Sequence, residues 1–249
     1  MDVDCAVVGA GFAGLAAADA LVRAKKSVCV LEARDRVGGR VATISLADGT
    51  AVDIGGQWLG PTQDRMYALC RRYGAEVYPM YTGGDNLLLL GDRRRRFRGH
   101  VPVRAPFMTL ANLGWMLARL HLLARQIPLE APWQAKDAAR LDQRTLGDWI
   151  RANVPDRHAA AMTHVGVESV FAAHADEISL LHALFYMRSG NSFDFLTRSA
   201  GGAQQDRVTG GIQAIAEGLA RDVDRVELAT PIERIEQDDE GVTVAGPKG

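Results

Sequence analysis

Short apolar runs and a helical repeat follow one another near the start of this 249-residue chain. Residues 5–8 (CAVV) and 28–31 (VCVL) are continuous apolar runs, which are typical of strands buried on both faces. The alanine-rich stretch between them, residues 15–24, favours a helix. A strand, a helix and a second buried strand in this order predict a βαβ unit with two parallel strands.

The pattern changes in the middle of the chain and changes back towards its end. From about residue 81, short strands lead into helices that prolines punctuate, as is usual at helix ends. Strands return after residue 221. We expect helices at 63–73, from 145 onwards, at 176–188 and from 210–211 to 221, and strands at 87–90, 95–97, 225–228, 231–236 and 241–245.

Strands on both sides of a mainly helical block predict two interleaved domains. We place the segments at residues 1–78, 79–205 and 206–249, with the two outer segments in one domain. The predicted fold class is therefore α/β, with a Rossmann-like, doubly wound domain interleaved with an α+β domain.

The most apolar stretch, residues 106–129, contains Arg119, His121 and Arg125. These polar residues favour an amphipathic helix over a membrane span. The apolar stripe that we expect to face the core consists of Leu110, Leu113, Leu117, Leu120 and Leu123.

Composition narrows the possible classes of protein. The chain is 47% hydrophobic by residue count and has a formal net charge of −1. These values fit a globular protein with a sizeable core, and they give no electrostatic reason to expect nucleic acid or an anionic membrane as a partner. The first apolar stretch is a predicted strand and not a signal peptide, so we expect a cytoplasmic protein. Histidines and cysteines lack metal-ligand spacing, and we predict no metal site.

One local exception to the balanced charge is the run of four arginines at residues 93–96. It follows Leu87 to Leu90 and the pair Gly91-Asp92, which together indicate a strand and a turn. We interpret the run as the charged tip of a β-hairpin.

A glycine cluster, GAGFAG at residues 9–14, separates the first predicted strand from the first helix. A GxGxxG pattern alone is weak, but strand, helix, second strand and a final acid all occur here in order. Gly9 would permit the tight turn, Gly11 would let the backbone approach a pyrophosphate, and Gly14 would let the helix pack closely. The free N–H groups and partial positive charge of the helix N-terminus would attract phosphate. We interpret the cluster as a dinucleotide cradle.

Glu32 ends the second predicted strand, 18 residues after Gly14. A carboxylate near this spacing accepts hydrogen bonds from ribose hydroxyls, and it would repel a 2′-phosphate, which disfavours NADP. NAD and FAD share the adenosine diphosphate half, so this cluster does not distinguish between them.

Three further blocks resemble the flavin-containing amine oxidase family, which includes the monoamine and polyamine oxidases. They read LEARDRVGGR at residues 31–40, GGQWLGPTQ at 55–63, and GGAQQDR at 201–207 followed by Gly210-Gly211. The resemblance extends from residue 3 to the last residue and is greatest to the bacterial monoamine oxidases. Four blocks in the family's order are a specific signal, and they indicate FAD in place of NAD.

The resemblance also implies which residues bind the cofactor and the substrate. The residues implied for FAD are Gly9, Gly11, Ala13, Gly14, Glu32, Ala33, Arg34, Gly38, Gly39, Arg40, Gly55, Gly56, Gln57, Trp58 and Ile232. Among these, Arg40 with the Gly38-Gly39 backbone would meet the phosphates, residues 55–58 would pass close to the flavin ring, and the Ile232 backbone would meet the adenine. The substrate-pocket residues implied are Trp58, Ser169, Val170, Phe195, Leu196 and Gln204.

The activity implied by the resemblance is FAD-dependent amine oxidation, and no residue is assigned as catalytic. An unprotonated amine would lose a hydride equivalent from its α-carbon to the flavin, and the imine would hydrolyse to an aldehyde. Oxygen would reoxidise the flavin and release hydrogen peroxide. The implied partners are a small-molecule amine and O2, with a homodimer or a complementing C-terminal half as further candidates.

No counterpart of the family's second half follows residue 249. We therefore expect the sequence to be an N-terminal half, incomplete at the C-terminus, and a poor amine oxidase on its own. The alternative, from a different functional class, is a non-catalytic FAD-binding fragment or relic, or one subunit of a split flavoprotein.

Overall fold

The computed structural model describes residues 2–247, apart from the side chain of Leu90. The strands are β1 (Cys5–Val8), β2 (Val28–Leu31), β3 (Thr43–Ser45), β4 (Ala51–Asp53), β5 (Val77–Pro79), β6 (Asn86–Leu90), β7 (Arg93–Phe97), β8 (Asp206–Val208), β9 (Val226–Glu227), β10 (Arg234–Gln237) and β11 (Val242–Ala245). The helices are α1 (Phe12–Arg23), α2 (Asp64–Arg72), α3 (Phe107–Ala124), α4 (Ala138–Asp142), α5 (Leu146–Asn153), α6 (Arg157–Phe171), α7 (Leu180–Ser189), α8 (Phe193–Thr197) and α9 (Gln213–Arg221).

The chain divides into two compact units. The first unit contains the residues up to 59, residues 63–79 and the residues from 206 onwards, and the second contains residues 60–62 and 80–205. Residue 1 of the predicted segment 1–78 and residues 248–249 of the predicted segment 206–249 lie outside the described residues.

A three-stranded parallel sheet, in the order β1–β2–β9, forms the core of the first unit. In the register of this sheet, Cys5 lies opposite Val28, and Val30 lies opposite Val226. Leu15 of α1 is fully buried and Leu219 of α9 is 1% exposed, and both belong to the hydrophobic cluster of this sheet. The predicted α/β class and the predicted βαβ beginning are confirmed.

The predicted strands at 225–228 and 231–236 differ from the observed ones. Strand β9 has two residues, and β10 begins three residues later than predicted, at Arg234. Ala229 adopts a left-handed φ of 48°, which no regular strand contains. Its N–H donates to the Arg34 carbonyl oxygen at 2.8 Å, and Pro231, which follows, has no N–H to donate to a ladder. The chain therefore turns across the end of β2 before β10 pairs antiparallel with β11.

Helices pack together in the second unit around a cluster that includes Met116, Ile150, Leu184 and Met187, each 1% exposed or less. The stripe predicted for α3 is partly right. Leu120 is buried and Leu113, Leu117 and Leu123 pack against the cluster, but Leu110 lies outside it and the buried positions also include Met116 and Ala124.

The helix predicted over residues 176–188 begins later than expected. Residues 175–177 form a single 3-10 turn, and α7 starts at Leu180. The Ser179 hydroxyl accepts the N–H of His182 at 3.3 Å, which is the hydrogen bond of a helix N-cap. The predicted start at residue 176 is therefore wrong, because Ser179 caps α7 and the helix begins after it.

By length and composition alone, α3 qualifies as a candidate membrane span. It has 18 residues and a mean hydropathy of 1.2, and 22% of it is buried inside the protein. Core helices of soluble proteins meet the same criterion. In this chain, Met116 and Leu120 of α3 are each 1% exposed within the helical cluster.

The predicted hairpin is present, but its arginines do not form the tip. Strands β6 and β7 pair antiparallel, with Leu87 opposite Arg96 and Leu89 opposite Arg94. The turn consists of Gly91 and Asp92, so the arginines occupy the first four positions of β7, which ends at Phe97. The prediction placed the arginines at the tip of the hairpin because they are charged. The long aliphatic stem of arginine is also compatible with an exposed strand, and the arginines lie there.

Candidate dinucleotide site

The turn between β1 and α1 is built tightly around two glycines. Gly9 has a φ of +98°, a conformation that side chains rarely adopt, and its N–H donates to the Leu31 carbonyl oxygen at 2.8 Å. A Cβ added to Gly14 would lie 2.0 Å from the Gly9 carbonyl oxygen. Glycine at residue 14 therefore allows the first turn of α1 to sit directly against the end of β1.

Gly11 is different, because the protein itself does not require glycine there. Its φ of −78° suits any residue, and an added Cβ would meet only the Gly39 Cα within 4 Å, at 3.9 Å. What glycine preserves at this position is free space in front of α1. No side chain caps the N-terminus of α1, and its first turn holds no acidic residue. The partial positive charge of this helix end is therefore left for an anion.

A second glycine pair, Gly38-Gly39, is held against the first cluster. The Gly38 N–H donates to the Ala10 carbonyl oxygen at 2.8 Å, and Gly11 and Gly38 form an isolated parallel bridge. The structure thus brings together two blocks that are separated by about two dozen residues in the sequence. The two backbones lie close together at the N-terminus of α1, where a Cβ on Gly39 would lie 3.2 Å from the Gly11 Cα.

Two arginines flank this glycine pair and have different surroundings. The Arg36 guanidinium donates to the carbonyl oxygens of Gly39 at 3.1 Å and Val41 at 3.0 Å, so it stabilises the loop from within. The Arg40 side chain is exposed, and no described group pairs with it. Sequence reasoning assigned Arg40 to the phosphates and missed the bracing contacts of Arg36, because those acceptors are backbone atoms.

Glu32 is only 5% exposed, although it is a carboxylate at the end of a strand. Its two oxygens accept the N–H of Ala10 at 2.7 Å and the N–H of Arg34 at 2.9 Å. Each carboxylate oxygen can accept a further hydrogen bond. The side chain therefore holds the β1–α1 turn in place and retains acceptor capacity for a hydroxyl ligand.

Three other residues predicted to contact FAD are Ala33 and Arg34, which follow Glu32, and Ile232, which follows the turn at Ala229. Ala33 and Arg34 are exposed, and the Arg34 carbonyl oxygen accepts the Ala229 N–H. Ile232 is half-buried, and no described group pairs with its backbone N–H or carbonyl. These backbone atoms are thus available to a ligand.

The third glycine segment, residues 55–58, lies against the loop that contains Arg40. A Cβ on Gly55 would lie 2.3 Å from the Arg40 carbonyl oxygen, and the Gly56 N–H donates to that oxygen at 3.1 Å. Gln57 is half-buried. The Trp58 indole N–H is buried and has no hydrogen-bond partner among the described residues. An orphaned buried donor of this kind is uncommon and points to a missing acceptor.

A buried carboxylate anchors this segment, and sequence reasoning missed it. Asp53, 8% exposed, accepts the Thr43 hydroxyl at 2.6 Å and the N–H of Ile212 at 3.1 Å. The Arg207 guanidinium lies 3.7 Å from its other oxygen. Asp53 therefore joins the glycine segment to the start of α9. The available signal was an acid at the end of an otherwise apolar strand, directly before two glycines.

Five of the predicted pocket residues belong to the second unit. Phe195 and Leu196 are half-buried in α8, and the Gln204 amide donates to the Leu196 carbonyl oxygen at 3.3 Å. Ser169 and Val170 lie on α6, where Ser169 is exposed and Val170 packs against the helical cluster. The structure thus brings Phe195, Leu196 and Gln204 together, and the pocket assignment stays a prediction. Within residues 2–247, no group of three or more His, Cys, Asp or Glu could hold a metal ion.

Comparison with known proteins shows the same family along nearly the whole chain. The family described as flavin containing amine oxidoreductase matches residues 12–249. The chain is 38% identical over 248 residues to AofH of Mycobacterium tuberculosis, covering 99% of this chain and 54% of that protein. It is 35% identical over 247 residues to putrescine oxidase of Kocuria rosea, covering 97% and 51%.

A solved structure agrees with these sequence relatives. The structure of cyclohexylamine oxidase from Brevibacterium oxydans IH-35A superposes with a TM-score of 0.91 at 30% identity, covering 98% of this chain and 55% of that one. This chain spans about half the length of the curated relatives it matches. The family match, the relatives and the fold agree with the motifs described above, and the chain belongs to the family of flavin-containing amine oxidoreductases.

Proposed function

We propose that this chain supplies the FAD-binding part of an enzyme that oxidises an amine. The observation that carries the proposal is the open space at Gly11, in front of an uncapped helix N-terminus and beside a buried Glu32. When bound, FAD would accept a hydride equivalent from the amine α-carbon, and O2 would then reoxidise the flavin and be reduced to hydrogen peroxide.

The residues present fit the adenosine and phosphate parts of FAD. The second lone pairs of the Glu32 carboxylate would accept the ribose hydroxyls, and the Ile232 backbone would pair with the adenine. The first-turn N–H groups of α1 would donate to the pyrophosphate across the space that Gly11 leaves open. The unpaired Arg40 guanidinium would give a second, bidentate contact to the same phosphates.

The flavin end is proposed for the segment that Asp53 anchors. Gly55 and Gly56 keep side-chain bulk away from the loop, and the Trp58 indole N–H lacks an acceptor in the described structure. An acceptor atom of the ring system, or a water ordered by it, would satisfy that donor. The remaining pocket residues, from Ser169 to Gln204, are proposed to contact the amine.

The choice between functional classes follows from the relatives. Putrescine oxidase and cyclohexylamine oxidase are named for oxidation of amines, which favours an enzyme over a non-catalytic flavoprotein. Because the chain spans about half of such proteins, its activity, its substrate amine and its partners remain proposals. A homodimer, a complementing half and a cytoplasmic location likewise remain predictions.

Changing Glu32 to Gln tests the adenosine site. The amide keeps the size of the side chain but removes one acceptor oxygen. We therefore expect the free energy of FAD binding to become less favourable by about 1–3 kcal/mol. Titrating the FAD-free chain with FAD, followed by flavin fluorescence, measures the affinity. The change to Gln also weakens the hydrogen bonds that this side chain accepts from the Ala10 and Arg34 N–H groups. Thermal unfolding of the FAD-free variant measures the resulting loss of protein stability, which can then be told apart from the loss of FAD affinity.

The matched control is Glu227→Gln, which makes the same change on the neighbouring strand β9. The Glu227 carboxylate accepts a hydrogen bond from the Arg225 guanidinium at 2.6 Å, and the hydrogen bond between Glu227 and Glu32 uses backbone atoms only, which the change to Gln leaves in place. We expect this variant to bind FAD as the unchanged chain does. Equal FAD affinity in the Glu32 and Glu227 variants would contradict the ribose assignment.

A further inference from the structure

Helix α3 is apolar on two opposite sides. On one side, Met116, Leu120 and Ala124 are buried in the helical cluster. On the other side, five residues at the spacing i, i+3, i+7, i+10 and i+14 are all exposed, and we call them the outer stripe: Met108, Ala111, Trp115, Ala118 and Leu122. At about 100° of rotation per residue, the two sets lie roughly 180° apart around the helix axis.

The composition of the outer stripe is unusual for a helix face that points away from its own core. Met108 is 61% exposed, Trp115 is 45% exposed and Leu122 is 53% exposed. A surface helix ordinarily presents charged and polar residues on this side. Helix α3 contains no Asp or Glu, and its Arg119 and His121 lie beside the stripe and not within it. The outer stripe therefore has the spacing and the composition of a seam that packs against another helix.

The central residue of the stripe, Trp115, is held in one orientation by its neighbours. Its ring stacks on Trp149 of α5, with 6.4 Å between the ring centroids and 14° between the planes. The Arg119 guanidinium lies 5.8 Å from the centroid of the same ring. A large aromatic side chain that is already fixed loses little conformational entropy on binding, and tryptophan is a frequent anchor of protein interfaces.

We propose that the outer stripe docks on the outer stripe of a second copy of this chain, with the two α3 helices antiparallel. Along the stripe, large and small side chains alternate, from Met108 through Ala111, Trp115 and Ala118 to Leu122. In an antiparallel pair, Trp115 meets Ala118 of the other copy and Leu122 meets Ala111, so each large side chain packs on a small one. The two-fold axis repeats both contacts, and the N-terminus of each helix lies beside the C-terminus of the other. A second copy thus supplies the complementary alternation by symmetry alone.

The size of the contact sets the strength that we expect. Helix α3 has 18 residues and is about 27 Å long, so one pair of such helices lies at the small end of specific interfaces, below about 1,200 Å² in total. We therefore expect a dimer with a dissociation constant in the micromolar range, detected by sedimentation velocity of the 249-residue chain as its concentration is raised. Because the stripe contains no charged residue, raising the salt concentration should not dissociate the dimer.

Substitution of the small residues tests the contact without removing any packing inside one copy. The double variant Ala111→Glu/Ala118→Glu changes two exposed alanines, so each copy should still fold. It should weaken dimerisation by at least about a hundredfold, because the glutamates would be buried without partners in the dimer. The matched control Ala139→Glu/Ala161→Glu makes the same change at exposed alanines of α4 and α6 and should dimerise as the unchanged chain does.

A further variant keeps every charge and removes apolar area. Leu122→Ser should weaken dimerisation by about tenfold or more, because two leucines leave the contact in each dimer. Circular dichroism and thermal unfolding check that each variant is folded. A chain that stays monomeric up to hundreds of micromolar would overturn the proposal and would mean that another occupant covers the stripe. A dimer that dissociates with salt, or one that survives in the Ala111/Ala118 variant, would also overturn it.

Discussion

Replacing Gly14 with alanine is expected to destabilise the first unit severely. The added Cβ would lie 2.0 Å from the Gly9 carbonyl oxygen and 3.3 Å from a methyl group of Val7. Because the Gly9 oxygen is a backbone atom in a tight turn, relief requires α1 to move off the sheet. We expect a loss of about 1–3 kcal/mol or more in the free energy of unfolding, measured by urea denaturation of the FAD-free chain.

A matched glycine-to-alanine substitution elsewhere in the chain should have the opposite effect on stability. Gly114 lies in the middle of α3, and an added Cβ there would meet nothing within 4 Å. Gly114→Ala should therefore raise helix stability by roughly 0.5–1 kcal/mol, because glycine loses more backbone entropy than alanine on folding. If Gly14→Ala were as stable as Gly114→Ala, the close contact between α1 and the turn would not exist in solution.

Replacing Gly11 with valine is expected to abolish most FAD binding while leaving the FAD-free chain folded. The φ of −78° accepts a side chain, and an added Cβ would lie 3.9 Å from its one protein neighbour within 4 Å, the Gly39 Cα. The valine methyl groups would occupy the position proposed for the pyrophosphate. Overpacking of this kind costs about 2–3 kcal/mol, which is on the order of a hundredfold in affinity.

Flavin absorbance of the purified protein and a titration with FAD measure this effect. The loss should exceed that of Glu32→Gln, because the valine blocks the site and the glutamine only removes an acceptor. Gly11→Ala, with one methyl group in the same space, should give an intermediate loss. A Gly11→Val protein that purifies with the flavin content of the unchanged chain would show that the pyrophosphate lies elsewhere.

Local chemistry determined the part of the fold that the sequence predicted well. The strand, turn and helix at residues 5–23 depend on neighbours in sequence, since Gly9 sets the turn and apolar runs set the strands. Four blocks in order, at residues 9–14, 31–40, 55–63 and 201–211, identified the family, because their glycines follow one another at fixed spacings along the chain. Glu32 could be assigned for the same reason, as it ends the strand that pairs with β1.

Contacts between distant residues determined the rest, and no local pattern encodes them. The hydrogen bonds of Asp53 to Thr43 and to the N–H of Ile212 require β3, β4 and α9 to meet. The turn at Ala229 exists because its N–H reaches the Arg34 carbonyl oxygen across the sheet. By itself, the sequence determined that a tight turn between a strand and a helix would form at Gly9 to Gly14. Only the tertiary structure decided what surrounds it, because backbone carbonyls and buried carboxylates find their partners through packing and not through spacing along the chain.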